Sequence, residues 1–102
     1  MKTLIALLIM VGTVHQAQAL ESYYGKATRS GSSLWTCSLH NHTDSTLDMK
    51  YVVFEFERTG AHGNTFTKQV RIDERVRSGE SLSSTVREFH VQQVSHCKFL
   101  AR

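Results

Sequence analysis

The stretch Cys37-Ser38-Leu39-His40-Asn41-His42-Thr43-Asp44 gathers the side chains best suited to chemistry. In an extended chain, residues two apart point to one side, so His40 and His42 share a face. Such an H-x-H pair suits imidazole ligation of zinc or copper. His62, His90 and His96 are the further ligands on offer. Against that reading, the pair runs into a stretch of Asn, Thr, Asp and Ser, where polar residues serve turns. No spacing fixes a third ligand, and no cofactor is expected. A second chemistry is general acid–base catalysis of the kind used by small secreted hydrolases and ribonucleases. It would draw on His40, His90, Glu55, Glu57 and Arg71, and it needs them opposed around a substrate. Cross-strand pairing of Glu and Arg accounts for the last three without catalysis. Neither a nucleophile elbow nor an HExxH helix occurs, so no catalytic residue is assigned.

Cys37 and Cys97 are the only cysteines. An even pair in an exported chain reads as a disulfide, here closing a long loop. That removes Cys97 from any ligand set. Export itself is expected from the start of the chain. Lys2 precedes an apolar stretch over residues 4–14, and Ala17-Gln18-Ala19 fits a small-x-small cleavage site. This pattern is a secretory signal peptide over 1–19, too short to span a bilayer comfortably. The expected location is the periplasm or the exterior, with no membrane span after cleavage. Asn41-His42-Thr43 matches the N-glycosylation pattern, which matters only in a host with that machinery.

Without Lys2, eleven Lys and Arg face nine Asp and Glu, a formal +2. The charges alternate in sign and form no basic block, so nucleic acid is not an expected partner. A chain of this size forms one domain and buries about 60% of its unfolded surface.

The elements that would position these groups are strands. Residues 20–31 are polar and interrupted by Gly25 and Gly31, and read as a flexible lead-in to a single β domain over 32–102. LWTCSL (34–39) alternates Trp35, Cys37 and Leu39 on a core-facing side. Residues 40–48 read as a loop. MKYVVFEFER (49–58) places Val52, Phe54 and Phe56 inward and Tyr51, Val53, Glu55 and Glu57 outward. TFTKQVRI (65–72) completes a hairpin through TGAHGN. RIDERVR (71–77) is a mixed-charge run that reads as a solvated loop or, more sharply, as a rim that recognises an acidic partner, and Arg77-Ser78-Gly79-Glu80 reads as a turn. Residues 81–86 set Leu82, Ser84 and Val86 on one side. Residues 88–99 form a last strand with a bulge expected at Gln92-Gln93, Ser95, Cys97 and Phe99 on one face and Val94, His96 and Lys98 on the other. Period-two alternation throughout, with no apolar stripe at helical spacing, argues for an all-β domain. Two antiparallel sheets face to face or a small closed barrel would both cover these faces.

Asn41, the run from Val52 to Gly60, the strand from Phe66 to Ile72 and the turn Ser78-Gly79-Glu80 together resemble small exported bacterial β-sandwich domains of the FxLYD kind. The resemblance spans about 65 residues. The name-giving Leu-Tyr-Asp is replaced by Phe54-Glu55-Phe56-Glu57, and the turn lacks proline. The resemblance implies an immunoglobulin-like sandwich without catalysis and transfers no functional residue. The expectation is then a non-catalytic module that binds a protein or plays a structural role, its partner another secreted or envelope protein. Tyr51 and Val53 offer apolar contact area, and Arg71 and Arg75 offer a rim for an acidic partner.

Overall fold

A computed structural model describes residues 20–60 and 64–102. The signal peptide expected over 1–19 and His62 lie outside the described residues. Seven strands follow one another: β1 (Glu21–Tyr24), β2 (Lys26–Arg29), β3 (Leu34–His40), β4 (Leu47–Arg58), β5 (Thr65–Val76), β6 (Ser81–Arg87) and β7 (Val91–Ala101). They form two antiparallel sheets, one in the order β1-β7-β4-β5 and one in the order β2-β3-β6. The sheets stay open at β1 and β5 and at β2 and β6, so the fold is a sandwich and not a closed barrel.

Alternation dictates the core. Trp35 and Cys37 of β3, Val52, Phe54 and Phe56 of β4, Val86 of β6, and Cys97 and Phe99 of β7 are buried between the sheets. The rings of Trp35 and Phe56 meet edge to face at 6.0 Å. Phe54, Phe56 and Phe99 are fully buried, and each such side chain stabilises by roughly 2 kcal/mol. The Cys37–Cys97 disulfide joins an interior strand of one sheet to an interior strand of the other across a Cα separation of 6.0 Å. The bond therefore ties the two layers of the sandwich to each other through the core.

The lead-in is not a flexible segment but two edge strands, one in each sheet. β1 pairs β7 and β2 pairs β3. The chain crosses from one sheet to the other at Gly25, whose backbone passes against the disulfide. A Cβ there would stand 2.7 Å from both Cys37 Sγ and the Ser38 carbonyl oxygen. A glycine that looks like a chain breaker is thus the residue that allows the crossing.

Other boundaries move as well, the last strand running over Val91–Ala101 and not 88–99, with residues 88–90 linking it to β6. β4 begins at Leu47, and β5 runs on to Val76, because Leu47–Val76 and Asp48–Arg75 continue the ladder past a bulge near Lys50. Asp73 takes the extra turn of that bulge in the left-handed region, φ 51°. Against β4 the register of β7 shifts three times, skipping Gln92 and Ser95 in β7 and Lys50 in β4. The second shift sets Val94 opposite Phe56, so Val94 packs on the core instead of facing outward with His96.

Candidate functional site

His40 ends β3 on the outer side of the three-stranded sheet, and its Nδ1 lies 2.9 Å from Ser81 Oγ. The next residue turns inward. Asn41 is 1% exposed, and all of its side-chain capacity is used. Its Nδ2 donates to the carbonyls of Ser45 and Val76, each at 2.9 Å. Its Oδ1 accepts from the Thr43 amide at 2.9 Å and the Thr43 hydroxyl at 2.6 Å. Its backbone is bonded in both directions to the 77–80 turn, through Glu80 O and Gly79 N. Gly79 carries the positive φ, 84°, that the third position of such a turn requires. The Asn-x-Thr step is therefore an Asx-type knot that fastens three segments, with the amide nitrogen a glycan would need already engaged.

His42 follows with its ring centroid 4.5 Å from that of His40. Both rings border a half-open depression of about 190 Å³ shared with Tyr23, Tyr24, Leu39 and Leu47. The depression exists because β2 stops pairing β3 at Ser38, leaving Leu39 and His40 without a neighbour on that side. The Tyr23 hydroxyl donates to Glu21 at 2.8 Å, and this bond, with some burial, holds the phenol above its ordinary pKa. Among the described residues no group of three or more metal-ligating side chains gathers. The structure brings His40 and His42 together and, among the described residues, adds no third donor.

The acid–base set is dispersed over opposite faces. His40 lies on the three-stranded sheet. Glu55 lies on the outer face of the four-stranded sheet, where it pairs with His96. Glu57 accepts from Gln93 at 2.9 Å. His90 sits in the β6–β7 turn with φ 59°. These groups do not surround a common point.

The proposed contact residues share the outer face of the β4–β5 hairpin. Arg71 lies 5.7 Å over the Tyr51 ring and donates to Asp73 at 2.6 Å. That hydrogen bond, aided by the charges of Arg71 and Lys50, holds the Asp73 carboxyl below its ordinary pKa despite the opposing desolvation. Arg75 stands opposite Asp48, whose carboxylate pairs with Lys50 at 3.1 Å. Val53 corrects the expectation. It points outward but is only 8% exposed, because Gln69 and Lys98 flank it across both ladders. Long side chains of that kind lay their stems over an apolar neighbour.

Sequence reasoning passed over Lys68. Alternation put it on the inward face of β5 with Phe66, Val70 and Ile72, and that is where it stands. Its Nζ reaches Glu88 at 3.1 Å and the Arg87 carbonyl at 3.2 Å, strapping β5 to the end of β6. An inward charge on a strand with one open side was the available signal, since edge strands are often guarded this way. Compared with known protein families, curated proteins and solved structures, the chain matches none.

Proposed function

We propose that the chain is an exported, non-catalytic module that holds a partner protein by strand addition to β5. The observation that carries this reading is the edge itself. β5 is twelve residues long, and no described strand pairs its far side. Over residues 65–72 it is regular, and Phe66, Val70 and Ile72 of its inner row are only partly covered. An incoming strand would extend the four-stranded sheet through main-chain hydrogen bonds and cover that row. Arg71 and Arg75 would face the partner from the same strand and favour an acidic one. The leader pattern and the disulfide support a secreted or periplasmic setting, where such bonds persist. The likeness to FxLYD-type domains belongs to the same reading.

Photo-crosslinkers placed at Gln69 and Arg71, with Ser83 as the control on the other sheet, test it in exporting cells. The expected result is one recurring protein adduct from both β5 positions and none from Ser83. Absence of an adduct from β5, or equal capture from Ser83, would remove strand addition at this edge.

A further inference from the structure

The two sheets differ in what they show to solvent. β1, β4, β5 and β7 carry Glu21, Asp48, Glu55, Glu57, Asp73 and Glu74, whereas β2, β3 and β6 carry no carboxylate. Register fixes the outward set of the smaller sheet. Lys26, Ser38 and Ser83 form one row, Thr28, Thr36 and Thr85 the next, with His40–Ser81 at one end and Leu34–Arg87 at the other. The hydroxyls bond to one another across the strands. Thr36 Oγ1 lies 2.8 Å from Thr85 Oγ1 and 3.0 Å from Ser30 Oγ. Ser38 Oγ lies 3.1 Å from Ser83 Oγ. Each pair fixes its oxygens in place and leaves further donor or acceptor capacity pointing to solvent.

The cations at the border are lightly held. Among the described residues Lys26 forms no ion pair, and Arg87 touches only Ser33 Oγ, at 3.5 Å. Arg29 is committed to the Gly31 and Ser32 carbonyls and to the Trp35 ring. On the flanking turns Glu88 is engaged by Lys68 and Glu80 by the Arg77 amide, and Asp44 stands on the turn after β3. The result is a flat, carboxylate-free field of fixed hydroxyls with unpaired positive charge at its margin.

We propose that this outer face of the three-stranded sheet binds an anionic polysaccharide, its hydroxyl rows bonding the sugar hydroxyls and Lys26 and Arg87 pairing with uronate or sulfate groups. A duplex or single strand of nucleic acid fits less well, because none of these outward positions carries a Phe, Tyr or Trp on which bases could stack and there are too few cations for a phosphate ladder. A lipid surface fits less well because Leu34 is the only aliphatic side chain among these outward positions, and it is half-buried. This surface lies on the opposite side of the sandwich from the outer face of the β4–β5 hairpin, so the two can act together.

The test uses the oxidised protein with soluble alginate and heparin as the carboxylated and sulfated probes. Dextran, duplex DNA and phosphatidylglycerol vesicles stand as the alternatives. Binding is followed by amide chemical shifts at low and physiological salt. The expected result is perturbation confined to β2, β3 and β6, with a log–log salt slope of about −2. Lys26→Glu with Arg87→Glu should weaken binding at least tenfold, and Arg71→Glu on the other sheet less than twofold. Equal binding of dextran would show that charge is irrelevant and overturn the proposal. So would tighter binding of DNA or vesicles, shifts centred on β4 and β5, or an equal loss with Arg71→Glu.

Discussion

At the scale of single residues, Asn41 outranks the histidines that flank it. A sequence reader sees His40 and His42 because imidazoles advertise chemistry, whereas asparagine in a polar run looks interchangeable. Burial reverses the order. Asn41 is enclosed and makes four side-chain hydrogen bonds to three residues. Removing this side chain deprives the buried Val76 carbonyl and the Thr43 amide of their partner, and each such group costs about 1–3 kcal/mol. Asn41→Ala should therefore lower the unfolding free energy by about 2–4 kcal/mol in urea titrations. Asn41→Asp should be no better, since a carboxylate cannot donate to the Ser45 and Val76 carbonyls. His42→Ala, by contrast, should fall within about 0.5 kcal/mol of the parent, as surface substitutions do. If Asn41→Asp were as stable as the parent, the knot would not be holding the three segments together.

At the scale of elements, the informative case is the link between β1 and β2. Gly25 donates its amide to the Cys97 carbonyl at 3.0 Å while its Cα faces the disulfide. Adding one methyl group drives it into a sulfur and a backbone oxygen, neither of which can swing away. Overpacking of this kind typically costs about 1–3 kcal/mol, so Gly25→Ala should shift the denaturation midpoint down by that amount. Gly31→Ala is the comparison, because its Cβ would meet only the flexible side chain of Leu34, at 3.3 Å. Equal effects of the two substitutions would mean that the crossing does not depend on close approach. The same link marks where the sequence was readable and where it was not. Strands β3, β4 and the first part of β5 alternate apolar and polar residues over a half-buried face, and that signal survives in one dimension. β1 and β2 are four residues each and lie at sheet edges, so little of either is buried and composition cannot reveal it. The run from Asp73 to Val76 looked like a loop because its charges face solvent on a strand that nothing covers. The inward turn of Val94 follows from the skipped Ser95, and a bulge made by an ordinary serine leaves no mark in the sequence. Of the candidate site, the cysteine pairing and the outward placement of Tyr51 and Arg71 were legible. The closeness of the two imidazole rings follows from their spacing of two residues, whereas the strap made by Lys68 depends on contacts between strands far apart in sequence, which alternation does not encode.

At the scale of the whole molecule, one covalent bond holds together two sheets of unequal character. Every described connection between consecutive strands except the β2–β3 and β4–β5 hairpins changes sheet, so pulling the layers apart must undo the links at Gly25, 41–46, 77–80 and 88–90 as well as the core. The bond between Cys37 and Cys97 spans a sequence separation of 60 residues. Closing a loop of that length removes conformational freedom from the unfolded chain worth roughly 4 kcal/mol. Net stabilities of small domains are about 5–15 kcal/mol, so the bond accounts for a large share. The double substitution Cys37→Ala with Cys97→Ala should accordingly lower the unfolding free energy by about 3–4 kcal/mol. The mechanism makes a second demand. If the bond acts by restricting the unfolded ensemble, cutting it lets that ensemble expand and expose more surface, and the denaturant m-value should rise. A loss of stability with no change in m would place the effect in the folded sandwich instead, at the buried contacts around Gly25 and Phe99. A loss below about 1 kcal/mol would show that the interleaved connections hold the layers without the bond.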